Sequence, residues 1–208
     1  MNTNKIKFLI YKFPEMGILI GVILSFLIFY IADNSMADVS TLVRMATQGT
    51  CIGFAAYGMS YLMITGEIDL SSGAVAGLAA TVSGMMLDSG YNELISYTSA
   101  LSVAALVGLL NSFMTLVIGI PSFFGTLGTS FAASGLIIWL LKGRWIYTGD
   151  FIPFLDFLFS PSPFFEFPWV FLFYAILIIF GDILIRTSKL GTILKATGGN
   201  VLSAKIAG

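Results

Sequence analysis

The sequence predicts an all-α protein, a polytopic bundle of about six helices that cross a membrane. Its 208 residues are 57% hydrophobic and only 10% charged, whereas about a quarter of the residues in soluble domains are charged. The mean hydropathy is +0.95. The apolar residues also form runs of about 20, the length that a helix needs to cross the hydrocarbon core of a bilayer. We therefore expect a single transmembrane domain over residues 1–208.

The first three apolar runs are separated by short polar stretches. Met16–Ala32 contains no charged residue. The second run, at about 42–64, has Arg44 near its outer end, where a long side chain can reach the lipid headgroups. The third run, 72–87, is short. Each run is predicted to be one spanning helix.

The next apolar run, 94–141, is uncharged and too long for one helix, so it must be interrupted. The interruption is predicted at Gly119-Ile120-Pro121-Ser122, because proline lacks a backbone donor and disfavours helix in the residue before it. A sixth span is predicted at 167–185, with Pro168 in its first turn and an interfacial belt of Phe165, Phe167 and Trp169. The chain thus has six predicted spans.

The distribution of positive charge predicts the orientation. Six spans place both termini on the same side of the membrane, and seven of the ten basic residues lie before the first span or after the last. These seven are Lys5, Lys7, Lys12, Arg186, Lys189, Lys195 and Lys205. Loops rich in lysine and arginine stay in the cytoplasm, so both termini are predicted to be cytoplasmic.

The stretch ITGEIDLSSG, residues 64–73, places Glu67 and Asp69 in the turn between the second and third spans. Asp69 or Ser71 can cap the start of the third helix. A charged residue at the centre of the bilayer would cost about 2.5–3.5 kcal/mol, so this turn is expected near the interface. The alternative is a proton or ion site, in which Glu67 and Asp69 would serve an ion-coupled secondary transporter.

Polar side chains inside the spans are further candidates for function. Asn111 is an amide within the fourth span, and such a residue either bonds to a neighbouring helix or lines a path. Thr126, Thr129 and Ser130 in the fifth span are assigned to the same two alternatives. Small residues at four-residue spacing, such as Gly125, Thr129 and Ala133, predict close helix packing.

Several classes of function are excluded by composition and motifs. Histidine is absent and Cys51 is the single cysteine, which excludes a disulfide within the chain and a His/Cys metal cluster. The net charge of −1 gives no basic surface for nucleic acid. The sequence also lacks a phosphate-binding loop and the common hydrolase motifs. We expect no catalytic residue, metal or cofactor in this chain, and any ATP must be used by a partner subunit.

Three stretches, in order, resemble the permease subunits of ribose/xylose/galactoside-type ATP-binding-cassette sugar importers. They are GMSYLMITGEIDLSSGAVAGLAA at 58–80, GIPSFFGTLGTSFAASGL at 119–136 and LGTILKATGGNVLSAKIAG at 190–208. In the first stretch the residues that match the family's turn motif are Gly66, Ile68, Asp69, Leu70, Ser71 and Gly73. Glu67 departs from the motif, since the family most often has glycine there.

The third stretch resembles the cytoplasmic loop through which this family couples to its ATPase. The matching residues are Gly191, Ala196, Gly198, Gly199, Asn200, Ala204 and Gly208. Glycines at 198 and 199 are predicted to allow a tight turn, followed by a short helix from about Asn200 that can seat in a groove of a partner. Val201 and Leu202 depart from the acidic pair that is usual in the family.

The resemblance implies a transport subunit in the cytoplasmic (inner) membrane of a bacterium, where it crosses the lipid bilayer several times. It also implies three protein partners: a second permease copy, an ATP-hydrolysing cassette subunit and an extracytoplasmic sugar-binding protein. The solute would be a monosaccharide or a similar small polar molecule. The resemblance covers the first two-thirds of such a permease, since family members continue with further spans. A truncated, non-transporting membrane scaffold or remnant is therefore the alternative function.

Overall fold

The computed structural model describes residues 15–147, 152–163 and 165–207, and it is almost entirely helical. The first five helices lie at the first five predicted spans, and the helix Trp169–Thr187 lies at the sixth. Their bounds are α1 Glu15–Ala32, α2 Val39–Ile64, α3 Ser72–Asp88, α4 Glu93–Phe113 and α5 Ser122–Leu141. Four shorter or later helices follow, α6 Pro153–Phe159, α7 Trp169–Thr187, α8 Lys189–Gly199 and α9 Val201–Ala207. The prediction of an all-α membrane bundle is confirmed.

The predicted interruption between the fourth and fifth spans is also confirmed. The helix α4 continues as a π-helical segment, Met114–Ile118, and ends at Gly119, whose φ of 84° lies in the left-handed region. A residue without a Cβ adopts this conformation without strain. The amide of Ile120 then donates to the carbonyl of Met114 over 3.0 Å, and α5 starts directly after Pro121.

Two local features differ from the sequence predictions. Pro168 precedes α7 rather than lying in its first turn, because it ends a short strand and has an extended ψ of 152°. The segment before α7 is also structured, since α6 is followed by strand β1, Pro161–Ser162, which pairs antiparallel with β2, Phe165–Pro168. Short elements of this kind have too few residues to show a hydrophobic period.

Contacts divide the chain into two compact units, Met1–Gln48 and Gly49–Gly208. In the first unit, α1 is followed by a 3-10 turn, Asn34–Ala37, and none of the described side chains is fully buried. Asp33 caps this turn by accepting a hydrogen bond from the amide of Ser35, and that bond lowers the pKa of Asp33. The single domain assigned from the sequence stays a prediction.

The second unit has an apolar exterior and a partly polar interior. Large apolar side chains are exposed on the long helices, for example Leu101 and Ile138 with 70% and 71% of their surface accessible. The buried polar residues that the structure describes are Thr50, Ser71, Ser96, Thr126 and Thr129, beside the buried apolar residues Leu78, Ala100, Ala133 and Val170. This distribution suits a lipid environment, in which polar and small side chains join helices.

Length and composition mark three of the described helices as able to cross a membrane. They are Glu93–Ile118, Ser122–Leu141 and Trp169–Thr187. The apolar segment Met16–Ala32 of α1 is shorter than these three helices, and α2 and α3 are not among the helices marked by length and composition. The protein is therefore a multi-pass membrane protein. The number of six spans and the cytoplasmic location of both termini stay predictions, and Lys5, Lys7 and Lys12 lie outside the described residues.

Candidate functional site

The polar turn, residues 65–71, begins where α2 ends. Gly66 has a φ of 84°, and its amide donates to the carbonyl of Met63 over 3.1 Å. The amide of Glu67 donates to the carbonyl of Leu62, also over 3.1 Å. These two bonds satisfy carbonyls at the end of the helix, and the left-handed residue between them favours glycine. The chain then continues without regular structure to the start of α3 at Ser72.

Asp69 determines the conformation of this turn. Its Oδ1 accepts hydrogen bonds from the amide and from the hydroxyl of Ser71, each over 2.6 Å. Ser71 is completely buried and occupies the N-cap position of α3, but its hydroxyl makes no bond to an amide of that helix. The prediction that Asp69 or Ser71 caps α3 directly is therefore wrong. Asp69 instead forms a turn with the residue two positions later, the local geometry that short carboxylates favour.

The turn is bonded to two further helices through side chains. Asn111 on α4 donates from Nδ2 to the hydroxyl oxygen of Ser71 over 2.9 Å. The hydroxyl of Thr129 on α5 donates to Oδ1 of Asn111 over 2.7 Å. We call Asp69, Ser71, Asn111 and Thr129 the polar network. It joins the start of α3 to the last turn of α4 and to α5. Of the two alternatives for Asn111 and Thr129, the structure therefore shows interhelical bonding.

The backbone of the turn is bonded to α5 as well. The amide of Leu70 donates to the hydroxyl oxygen of Thr126 over 3.0 Å. The amide of Ile68 lies 3.4 Å from the hydroxyl oxygen of Ser122, to which it donates. Sequence reasoning did not select Ser122, although hydroxyl residues four positions apart, Ser122 and Thr126, indicate one helix face. In the described part of the chain, Ser130 is half-buried and is not a member of the polar network.

The arrangement of this site can orient helices. The carboxylate, hydroxyl and amide groups bond to one another, so the network gives each of its members a defined partner. In lipid such bonds are worth about 0.6 kcal/mol on average, but they are directional and define how the helices meet. The described residues contain no group of three or more His, Cys, Asp or Glu side chains that could hold a metal ion.

The predicted coupling loop forms two helices, α8 and α9. Asn200 separates them, with extended backbone angles of −165° and 110°, and its Oδ1 accepts a hydrogen bond from the amide of Ser203 over 2.9 Å. The predicted short helix after Asn200 is therefore present and capped. The tight turn predicted at Gly198 and Gly199 is wrong, because both residues are helical and the chain changes direction at Asn200. Gly208 lies outside the described residues.

The glycines of α8 allow backbones to approach closely. A Cβ on Gly191 would overlap the carbonyl of Ile185 at the end of α7, and a Cβ on Gly198 would overlap the carbonyl oxygen of Ile64 at the end of α2. Gly199 differs, since a Cβ there would meet nothing within 4 Å. The contact of Gly198 with Ile64 brings the end of α8 next to the start of the polar turn.

A second helix contact, which the sequence analysis missed, joins α2 to α7 through tyrosines. The hydroxyls of Tyr57 and Tyr61 bond to each other and lie against Gly181. The ring of Tyr174 lies against Gly53, and its centroid is 5.1 Å from that of Phe54. The sequence contains a signal for this contact, because Gly53, Tyr57 and Tyr61 are four residues apart and share a helix face.

Comparisons with known proteins identify a family and several relatives of the chain. The family described as "Branched-chain amino acid transport system / permease component" matches residues 41–208. The chain is similar to the "Autoinducer 2 import system permease protein LsrC" of Photorhabdus luminescens, with 30% identity over 132 residues, which cover 64% of this chain and 40% of that protein. The LsrC protein of Escherichia coli O9:H4 (strain HS) is 29% identical over 132 residues, 64% of this chain and 39% of its own length.

The aligned region thus spans about two-fifths of the length of these relatives. No solved structure matches the chain. The family match includes α2, the polar turn, the break at Gly119 and both helices of the predicted coupling segment. Because it extends over most of the sequence, the chain belongs to this family of transport-system permease components.

Proposed function

We propose that the chain is a membrane-spanning permease subunit, or the part of one, in an ATP-binding-cassette importer. It would move a monosaccharide or a similar small polar solute across the inner membrane of a bacterium. The observation that carries this proposal is the family match over residues 41–208, which includes the polar turn and the paired helices α8 and α9. Two relatives are named for the import of autoinducer 2, so this solute is the first to test.

The division of labour follows from the chemistry of the chain. Its described side chains supply hydrogen-bonded helix contacts, and its sequence has no nucleotide-binding motif. We therefore assign ATP hydrolysis to a partner subunit that docks on α8 and α9, solute delivery to an extracytoplasmic binding protein, and the remaining half of the path to a second permease copy. Exposed apolar residues on α9, such as Val201 and Leu202, would contact the partner.

Co-purification tests this proposal. The chain would be expressed with candidate ATPase and binding-protein subunits of its source organism, isolated through a tag, and reconstituted in vesicles to measure ATP-dependent solute uptake. We expect the ATPase to remain bound. Asn200→Leu removes the cap of α9, worth about 1 kcal/mol, and should weaken that binding, whereas Ser203→Ala keeps the bonded amide and should not. A stable membrane protein that retains no ATPase would contradict the proposal and favour the scaffold alternative.

A further inference from the structure

We propose that the contact between Gly198 and the carbonyl of Ile64 transmits movement of α8 and α9 to the polar turn. Gly198 is then a positioning residue for transport. The inference rests on the proposed function, because it requires an ATP-hydrolysing partner that moves α8 and α9. It adds the route by which such a movement reaches the interior of the bundle.

The beginning of α8 is attached to the end of α7. The hydroxyl oxygen of Ser188 accepts a hydrogen bond from the amide of Gly191 over 3.1 Å. Lys195 donates from Nζ to the carbonyl of Ile185 over 3.2 Å, and Gly191 packs against the same carbonyl. These contacts hold one end of α8 on α7, so a force on α9 acts mainly at the other end of α8.

At that other end, Gly198 lies against backbone atoms of Ile64 and Thr65. A Cβ on Gly198 would overlap the Ile64 oxygen and would lie 3.3 Å from the Cα of Thr65. A hydrogen on the Cα of Gly198 therefore points at that oxygen, the geometry of a weak Cα–H···O contact. Backbone atoms inside a helix cannot rotate aside as the tip of a long side chain can. Displacement of Gly198 toward α2 must therefore displace Ile64.

From Ile64 the chain leads directly into the polar turn. Thr65 and Gly66 connect it to Asp69, which binds Ser71. Ser71 in turn is bonded to Asn111, and the amide of Leu70 is bonded to Thr126. A displacement at Ile64 thus reaches helices α4 and α5 through a short series of hydrogen bonds. Two glycines that look alike in the sequence, Gly198 and Gly199, differ in this respect, since an added Cβ would meet α2 at Gly198 and nothing within 4 Å at Gly199.

The test compares Gly198→Ala with Gly199→Ala in the assembled transporter. Both substitutions replace a helical glycine with alanine, and only the first adds an atom that must push α8 away from Ile64. We expect Gly198→Ala to retain its ATPase partner and ATP hydrolysis while solute uptake falls about tenfold, within the usual range of coupling between sites. We expect Gly199→Ala to transport like the unchanged chain. Equal uptake by the two variants would overturn the inference.

A tether tests the same contact without altering Gly198. Thr65→Cys and Gly199→Cys are combined with Cys51→Ser, which removes the exposed native thiol, and are then joined by a short bifunctional thiol reagent. If the two segments move as one body, the tether leaves uptake unchanged. Loss of uptake on tethering, restored when the link is cleaved, would overturn the inference. If Gly198→Ala fails to assemble, the tethering experiment alone tests the inference.

Uptake by the unchanged complex distinguishes failure of the proposed function from failure of the inference. If the unchanged complex shows no ATP-dependent uptake, the proposed function is wrong and the inference falls with it. If the unchanged complex transports and Gly198→Ala transports equally well, only the route through Gly198 is wrong.

Discussion

Two helix contacts of the second unit are built on different principles. The contact among α3, α4 and α5 is made by hydrogen bonds between Ser71, Asn111 and Thr129, at 2.9 and 2.7 Å. The contact between α2 and α7 is made by tyrosine rings that lie against Gly53 and Gly181. The first contact holds the helices by directional bonds, and the second by shape.

This difference indicates which of the two contacts tolerates a change in the relative position of its helices. A hydrogen bond weakens steeply when its distance or angle changes, so the polar network allows one relative position of its helices. The hydroxyl end of a tyrosine is the far tip of a rotatable side chain, so the contact with Gly181 can shift at lower cost. We therefore expect substitutions in the network to destabilise the bundle more than substitutions in the tyrosine contact. Four measurements test this expectation.

The largest effect is expected at Asp69. Asp69→Leu removes the acceptor of two bonds from Ser71, and bonds to a charged group contribute about 1.5–3 kcal/mol each. Asp69→Asn keeps an oxygen acceptor and should cost clearly less. The free energy of unfolding in mixed micelles would be measured for both variants. Equal losses would show that the charge itself is required, which would favour the ion-site alternative.

Asn111→Leu should have the next largest effect. It removes the bonds to Ser71 and to Thr129 and leaves their buried hydroxyls without this partner, at a cost of about 1–2 kcal/mol. The matched control is Ser112→Ala, because the Ser112 hydroxyl is exposed and bonds only to the carbonyl of Gly108 in its own helix. The same unfolding measurement applies. A control as unstable as the variant would argue against a special role for Asn111.

A smaller loss is expected for Thr126→Val, which has nearly the same shape but no acceptor for the Leu70 amide. We expect a cost of about 1 kcal/mol together with faster hydrogen exchange at the Leu70 amide. Thr98→Val is the control, since the exposed Thr98 hydroxyl bonds only within α4. Unchanged exchange at Leu70 would show that the bond to Thr126 does not hold the turn.

The smallest effect is expected for Gly181→Ala. The added methyl group would meet the hydroxyls of Tyr57 and Tyr61 and the ring carbon that bears the Tyr57 hydroxyl. These atoms are the far ends of side chains that can rotate, so the cost should be about 1 kcal/mol, the lower end of the usual range for overpacking. A double-mutant cycle with Tyr57→Phe and Tyr61→Phe should reduce this cost, because the nearest obstructing atoms, the two hydroxyl oxygens, are then absent. A loss that exceeds the one at Asn111 would reverse the proposed order of the two contacts.

Most of the helices could be predicted from the sequence because hydropathy and backbone chemistry are local properties. Apolar length was enough to predict the helix that ends at Ala32 and the start of α3 near Ser72. The missing backbone donor of Pro121 was enough to predict the break after Gly119. The short helix α6 and the strands near Pro168 were missed, because a few residues carry no readable period. Asp69 and Ser71 were selected as candidates to cap the third helix, and Asn111 and Thr129 as polar residues inside spans.

What the sequence could not determine was which of these residues touch. Asn111 lies 40 positions from Ser71 and 18 from Thr129, and no local pattern relates positions so far apart. The sequence could not determine the contact of Gly198 either. The sequence alone indicated a glycine pair and assigned it to a turn, whereas the tertiary structure made it helical and placed only Gly198 against Ile64. The physical reason is that hydropathy and propensity act along the chain, while hydrogen-bond partners and close backbone contacts arise only when helices from distant segments pack together.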